Sequence, residues 1–206
     1  METLKPFFPL LISLLIIMDP LGNLTFFILF TRENTIQQKN RMAAIASAVA
    51  CLILIFFGLT GDFILHFFGI GLPAFQLAGG FILFVYAMQM LRLIPSGIKT
   101  SAEEEHEGVV KDNAALVPLA IPLLAGPGAI TSVLVWQQGP DNPVNPFLLA
   151  ATITTACLIV YLVFRFAAFI SRFMGIGGIR VATRLMGLLL AVIAVQFIVN
   201  GLHQIK

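Results

Sequence analysis

The sequence predicts an all-α polytopic membrane protein of six transmembrane helices, arranged as two inverted three-helix repeats with helices one and four broken at midplane. Three observations lead there. The chain of 206 residues is 59% hydrophobic and only 11% charged, its apolar runs are punctuated by turn residues, and its two halves resemble each other. A mean hydropathy of +0.98 excludes an ordinary soluble domain. At roughly 20 apolar residues per bilayer crossing, the chain holds about six spans.

The spans follow from hydropathy and from the residues that interrupt it. Apolar runs cover residues 7–30, 42–68, 72–94, 114–136, 147–170 and 181–202. Between them lie a charged turn from Arg32 to Arg41, the tight Gly69-Ile70-Gly71-Leu72-Pro73, a segment with three prolines from Gly139 to Pro146, and Gly175-Ile176-Gly177-Gly178. The N-terminal run is expected to be a retained span: Lys5 is balanced by Glu2, and no small-x-small cleavage pattern follows. Cys51 and Cys157 sit inside apolar runs without a CxxC pattern and are expected to be inert thiols.

Orientation comes from the basic residues. Ten of the twelve Lys and Arg fall in the connections one-two, three-four and five-six, leaving only Lys5 and Lys206 for the other face. The positive-inside rule puts those connections in the cytoplasm and both termini on the non-cytoplasmic side. The acidic run Glu103-Glu104-Glu105-His106-Glu107 belongs to the three-four connection and is expected to be solvated.

A shift of 107 residues maps Pro20 onto Pro127, Gly71 onto Gly178, Gly80 onto Gly187, Ala87 onto Ala194 and Gln89 onto Gln196. One register fits four regions. The chain divides accordingly into a first repeat, residues 1–94, a charged cytoplasmic loop, 95–113, and a second repeat, 114–206. Three spans is an odd number, so the second repeat enters the membrane from the opposite side. Inverted repeats are a recurrent plan of secondary transporters.

Within helix one, residues 7–18 reach about 18 Å, little more than halfway through a core of about 30 Å. Asp19-Pro20 follows. Proline disfavours helix at the residue before it yet suits the first turn of a new one, where Asp is a preferred cap. Gly126-Pro127 repeats the pattern in helix four, with Pro118 and Pro122 loosening the preceding half. Non-helical backbone at that depth is tolerated where protein or a water-filled cavity satisfies it. Each new half-helix offers N–H groups and the positive end of its dipole to an anion such as a carboxylate.

The candidate substrate-binding residues are therefore Asp19, Pro20, Gly22, Asn23 and Thr25 in the first repeat, and Gly126, Pro127, Gly128, Thr131 and Ser132 in the second. Single proline kinks are often packing features, but the matched pair favours a shared polar cavity. Asp19 is the one acid expected near the bilayer centre, and an intramembrane carboxylate marks function by default. It is the candidate for a substrate ammonium or a coupling H⁺ or Na⁺. Gln89 and Gln196 are secondary polar candidates, expected to join helices before they touch a solute. Ala78-Gly79-Gly80 and Gly187 with Ala191 predict close helix contact. Trp136 is expected to anchor at the interface, and Asp62 and His66 to lie at the outer end of helix two.

At these breaks the sequence resembles the MarC family of bacterial inner-membrane proteins, which includes members regarded as small neutral amino acid transporters. The likeness is carried by Asp19-Pro20-Leu21-Gly22-Asn23, Ala78-Gly79-Gly80, Val117-Pro118-Leu119-Ala120-Ile121-Pro122, Ala125-Gly126-Pro127-Gly128-Ala129-Ile130, Arg184-Leu185-Met186-Gly187 and Gln196-Phe197-Ile198. The resemblance implies six helices, no cofactor and an inner-membrane address, with kinship to amino acid exporters of similar size. Thr25 stands where relatives often carry Pro, which leaves the second half-helix less rigid at its start.

Together these features predict a secondary transporter or exporter of a small neutral amino acid or similar zwitterion; a channel or passive facilitator is the alternative. The expected partners are a small-molecule substrate, the lipid bilayer and a coupling ion. No cofactor, metal or nucleic acid is expected. Enzymatic chemistry is not expected either, because GxSxG, HExxH and Walker patterns are lacking.

Overall fold

A computed structural model of the chain describes residues 6–94, 124–138 and 145–205. Among them the structure is all helical, with seven helices. Five helical stretches are long and apolar enough to cross a membrane: Phe7–Phe30, Ile36–Phe68, Leu72–Met90, Pro146–Arg165 and Gly177–Gln204. The expected fourth span is represented only by its second half, because residues 114–123, with Pro118 and Pro122, lie outside the described residues. The acidic run at 103–107 lies outside them too.

Helix one is two pieces. α1 (Phe7–Met18) ends where Asp19 takes φ 38 and ψ 66, and α2 (Pro20–Phe30) begins at the next residue with Pro20 in its first turn. The fixed φ of proline suits that position, whereas the left-handed backbone at Asp19 is costly for any residue with a Cβ.

α3 (Ile36–Phe68) starts earlier than the expected residue 42. Hydropathy registers only the apolar part of a helix, and here a capping box carries the polar segment into it. The Thr35 N–H donates to Gln38 Oε1 at 2.8 Å, and the Gln38 N–H donates to Thr35 Oγ1 at 3.4 Å. At its far end Gly69, with φ 64, closes the helix, and the Ile70 N–H reaches back to the Leu65 carbonyl at 2.9 Å. α4 (Leu72–Met90) stops short of residue 94, because the chain turns at Leu91 and Arg92, the latter with φ 59.

α5 (Pro127–Gln138) follows a non-helical Ala125 and Gly126, as the second Gly-Pro break predicts. α6 (Pro146–Arg165) is capped by Asn145, whose Oδ1 accepts from the Phe147 N–H at 2.9 Å. It ends at Arg165 and not at residue 170, where Phe166 leaves helical geometry. α7 (Ala167–Gln204) is interrupted at Gly175, φ 62 and ψ 174, inside the glycine-rich break read from the sequence.

α4 packs along α7 and α3 along α6, while α1 and α2 lie against α6 and α7, and α5 lies against α3 and α4. The core runs through this middle layer: Leu10, Leu14, Met18 and Leu24 are fully buried, and Phe27 stacks on Phe164 with ring centroids 4.7 Å apart. The outer surface exposes Phe56, Phe63, Phe67, Phe81 and Phe173, an apolar exterior that suits lipid.

Contact between α4 and α7 is reciprocal. A Cβ added at Gly80 would stand 2.9 Å from the Ala194 carbonyl oxygen and 2.9 Å from Ile198 Cγ1; one added at Gly187 would stand 3.5 Å from the Ala87 carbonyl oxygen and 3.4 Å from Leu91 Cγ. Gly187, Ala194 and Ile198 are the positions that the 107-residue shift assigns to Gly80, Ala87 and Leu91. Small residues here let backbones approach closely, as helix pairs in membranes require. Cys51 and Cys157 are both free thiols in one shallow cleft between α3 and α6, where Cys51 Sγ lies 4.0 Å from Thr154 Oγ1.

Gly80→Val is expected to destabilise the detergent-solubilised protein by about 1–3 kcal/mol through overpacking. Gly177→Ala, where an added Cβ meets nothing within 4 Å, is expected to be neutral. Thermal unfolding followed by circular dichroism checks the pair, and equal melting temperatures would remove the close-approach argument.

Candidate functional site

The break in helix one is satisfied by its own side chains. Asp19 accepts through Oδ1 from the Gly22 N–H at 3.1 Å, so it caps α2 as its sequence position predicts. That N–H would otherwise have bonded the Met18 carbonyl four residues back. Asn23 Nδ2 donates to that carbonyl at 2.8 Å. The backbone path resumes where the Asn23 N–H donates to the Asp19 carbonyl at 3.0 Å. Pro20 brings no N–H to the Ile16 carbonyl.

Gly22 is required by this arrangement. A Cβ at that position would overlap the Asp19 carboxylate, so any larger residue displaces the cap. Asp19 and Asn23 are each only 1% exposed, deep within the α1–α2 unit. The expected open row of N–H donors at this half-helix is thus partly closed: the Asp19 carboxylate itself occupies the anion position over Gly22.

The second break packs against the first. A Cβ at Gly128 would lie 3.5 Å from Ile17 Cγ2 and would overlap Leu83, which fixes α5 beside the end of α1 and against α4. Thr131 Oγ1 donates to the Pro127 carbonyl at 2.8 Å, and its side chain fills the space left by Gly79. Gly126 is half-buried and Pro127 exposed, while Thr131 and Ser132 are buried. Buried polar atoms without a hydrogen-bond partner among the described residues include Asn23 Oδ1 and Ser132 Oγ beside the two breaks and Gln76 Oε1 on α4; Ser47 Oγ, Gln137 Oε1 and Gln138 Nε2 are the others. Unmatched polar groups at depth are costly and point to water or a solute that completes them.

Gln76 was not among the residues singled out by sequence. Its signal was a single amide one turn ahead of Gly79-Gly80 in an apolar helix, and it is only 2% exposed. Of the two glutamines that were, Gln89 is half-buried, and Gln196 points outward, where its Nε2 donates to Asn200 Oδ1 at 2.7 Å. The break does not gather them.

A cavity of about 460 Å³ opens beside α2 and reaches the break at Gly22. Thr25 lines it, together with Arg92, Arg180 and Arg184. Sequence reasoning used these arginines only to orient the chain. Their convergence arises from the turn after α4 and the first turns of α7 beyond Gly175, neither of which hydropathy specifies.

The chain matches, over residues 4–206, the family model described as MarC family integral membrane protein. It is similar to the UPF0056 membrane protein of Aquifex aeolicus, with 37% identity over 94% of this chain and 91% of that protein. A UPF0056 membrane protein of Pyrococcus abyssi is 35% identical over 98% of this chain and 96% of its own. The UPF0056 membrane protein YhcE of Escherichia coli is 34% identical over 97% and 93%. No solved structure matches.

Asn23→Leu is expected to cost about 1–3 kcal/mol, because it leaves the Met18 carbonyl without its donor in an apolar interior. Asp19→Asn is expected to cost less, since Asn caps helices as well as Asp and tolerates left-handed backbone. Thermal unfolding of both variants in detergent checks the order; the reverse order would mean that the cap, not the amide bridge, holds the break.

Proposed function

Because this chain belongs to the MarC family of integral membrane proteins, we propose that it is a secondary transporter or exporter of small neutral amino acids or similar small zwitterions. The observation that carries this reading is the meeting of two proline-marked helix breaks within one buried layer, next to a cavity that reaches Gly22. Non-helical backbone inside a membrane persists where it lines a site, and paired broken helices are a recurrent transporter site.

The 107-residue correspondence gives the second support. Gly80 meets Ala194 and Ile198, and Gly187 meets Ala87 and Leu91, which is the contact pattern of two equivalent units related by a two-fold axis. Read with three spans per unit, the units are inverted, and the six-span chain has both termini outside the cytoplasm. In a bacterium the address is the inner membrane. Alternating access would come from one unit rocking against the other about this seam.

In this reading the solute's carboxylate approaches the N-terminal turn of α5, since Asp19 already takes the anion position over Gly22, and its ammonium is drawn toward Asp19. The same carboxylate could hold a coupling H⁺ or Na⁺. Ser132 Oγ and Asn23 Oδ1 supply neutral hydrogen bonds, and Gly126 and Gly128 allow close approach of the backbone.

Reconstitution into proteoliposomes with labelled amino acids under imposed pH or Na⁺ gradients tests this. Wild-type protein is expected to accumulate a small neutral amino acid and to exhibit counterflow. Asp19→Asn is expected to lower the initial rate about tenfold or more, the loss of one charge-assisted contact, while the protein stays folded. Passive flux without counterflow would make the protein a channel, and full activity in Asp19→Asn would remove Asp19 from coupling.

A further inference from the structure

The cavity beside α2 has a chemistry that a neutral solute does not require. It is lined by Arg92, Arg180 and Arg184, with Ser171 and Thr183 beside them, and no acidic residue lines it among the described residues. Arg180 and Arg184 are four apart on α7, so they share one helix face, and like charges at that spacing repel. Arg92 comes from a different part of the chain and holds left-handed backbone, φ 59, at the turn where α4 ends. Three cations therefore converge on one concavity, against mutual repulsion and with a backbone conformation that a side chain disfavours.

We propose that this cavity binds a phosphate-type oxyanion. Planar guanidinium groups match phosphate oxygens bidentately and are less strongly hydrated than ammonium groups, and a tetrahedral oxyanion offers enough acceptors for three of them. The volume, about 460 Å³, falls within the range of small-molecule sites. Apolar side chains, including Phe26, Met90 and Ile179, form the remainder of the wall. The same oxyanion chemistry is offered by the headgroup of an anionic phospholipid, whose chains would follow that apolar wall, and by a free phosphorylated solute. Basic pockets between membrane helices on the cytoplasmic side are known to take lipid headgroups, and the basic connections put this cavity on that side.

The proposal concerns binding alone and stands independently of the transport reading. Arg92→Gly is the decisive variant. Glycine adopts positive φ without strain, so this substitution is expected to preserve or raise thermal stability while removing one of the three cations. Arg180→Gln combined with Arg184→Gln removes the other two, and Arg41→Gln, an exposed cation on α3 outside the cavity, is the control.

Purified protein would be titrated with inorganic phosphate against chloride at constant ionic strength. In parallel it would be placed in nanodiscs of phosphatidylcholine with or without phosphatidylglycerol, and retained lipid identified by native mass spectrometry. Wild-type protein is expected to be thermally stabilised by phosphate, or to retain phosphatidylglycerol selectively. Affinity is expected to fall roughly tenfold in Arg92→Gly and further in the double variant, as removal of charge-assisted hydrogen bonds predicts, with Arg41→Gln unchanged. Response to phosphate identifies a free oxyanion as the ligand; selective retention of phosphatidylglycerol without it identifies the headgroup. The absence of both responses, or equal loss in Arg41→Gln, overturns the proposal. No gradient or flux enters this measurement, so failure of transport in proteoliposomes leaves its outcome intact.

Discussion

A lipid interior supplies no water to a broken helix, and the structure depends on how the break at Asp19 meets that constraint. Ending α1 at Met18 frees carbonyls that have no solvent to turn to, and starting α2 at Pro20 exposes N–H groups in the same layer. Two neighbouring side chains resolve most of this. Asp19 takes the Gly22 N–H and Asn23 bonds the Met18 carbonyl, so the break is held by a carboxylate and an amide within five residues of chain. Left-handed backbone at Asp19 costs about 1–2 kcal/mol, a cost the two hydrogen bonds offset. Glycine at position 22 is the steric condition for the whole arrangement, because the carboxylate lies where a Cβ would be.

From that point the packing follows. A break in α1–α2 bends the central layer and lets Ile17 meet Gly128 at the start of α5, so the second break is located by the first. The outer helices then close around the layer in pairs, α4 with α7 and α3 with α6. Lipid gives no hydrophobic drive for helix association, so close van der Waals contact at Gly80 and Gly187 has to supply it. Glycines serve two different purposes in this chain: at Gly80, Gly128 and Gly187 they remove volume, and at Gly69 and Gly175 they permit positive φ.

Much of this was legible in the sequence because proline, glycine and caps act locally. Asp19-Pro20 predicted the cap and the first position of α2, Gly126-Pro127 predicted the start of α5, and the glycine run at 175–178 predicted the interruption of α7. Helix ends were less legible where polar residues extend a helix beyond its apolar part, as the Thr35–Gln38 box does for α3, or where Phe166 ends α6 without any turn residue to announce it. The site divided along the same line. Asp19 and Asn23 could be found from the break that they serve, but Gln76 and the three arginines could not, since only tertiary packing brings separated stretches of chain to one place. Gln196 shows the converse: a repeat partner shares a register but not always an environment, and its exposed side chain donates to Asn200 away from the break.

Charge is distributed unevenly along α2, and this links the buried break to the cavity beside it. A carboxylate stands in the protein interior at the start of α2, and three arginines, Arg92, Arg180 and Arg184, line the cavity that extends to Gly22. Such an arrangement sets a field across this region: a negative group is stabilised toward the arginines and a positive one toward Asp19. An oxyanion held among the arginines would weaken that field while leaving the Asp19 end unchanged. The part of the field from the exposed guanidinium groups declines with ionic strength faster than the part from the buried carboxylate.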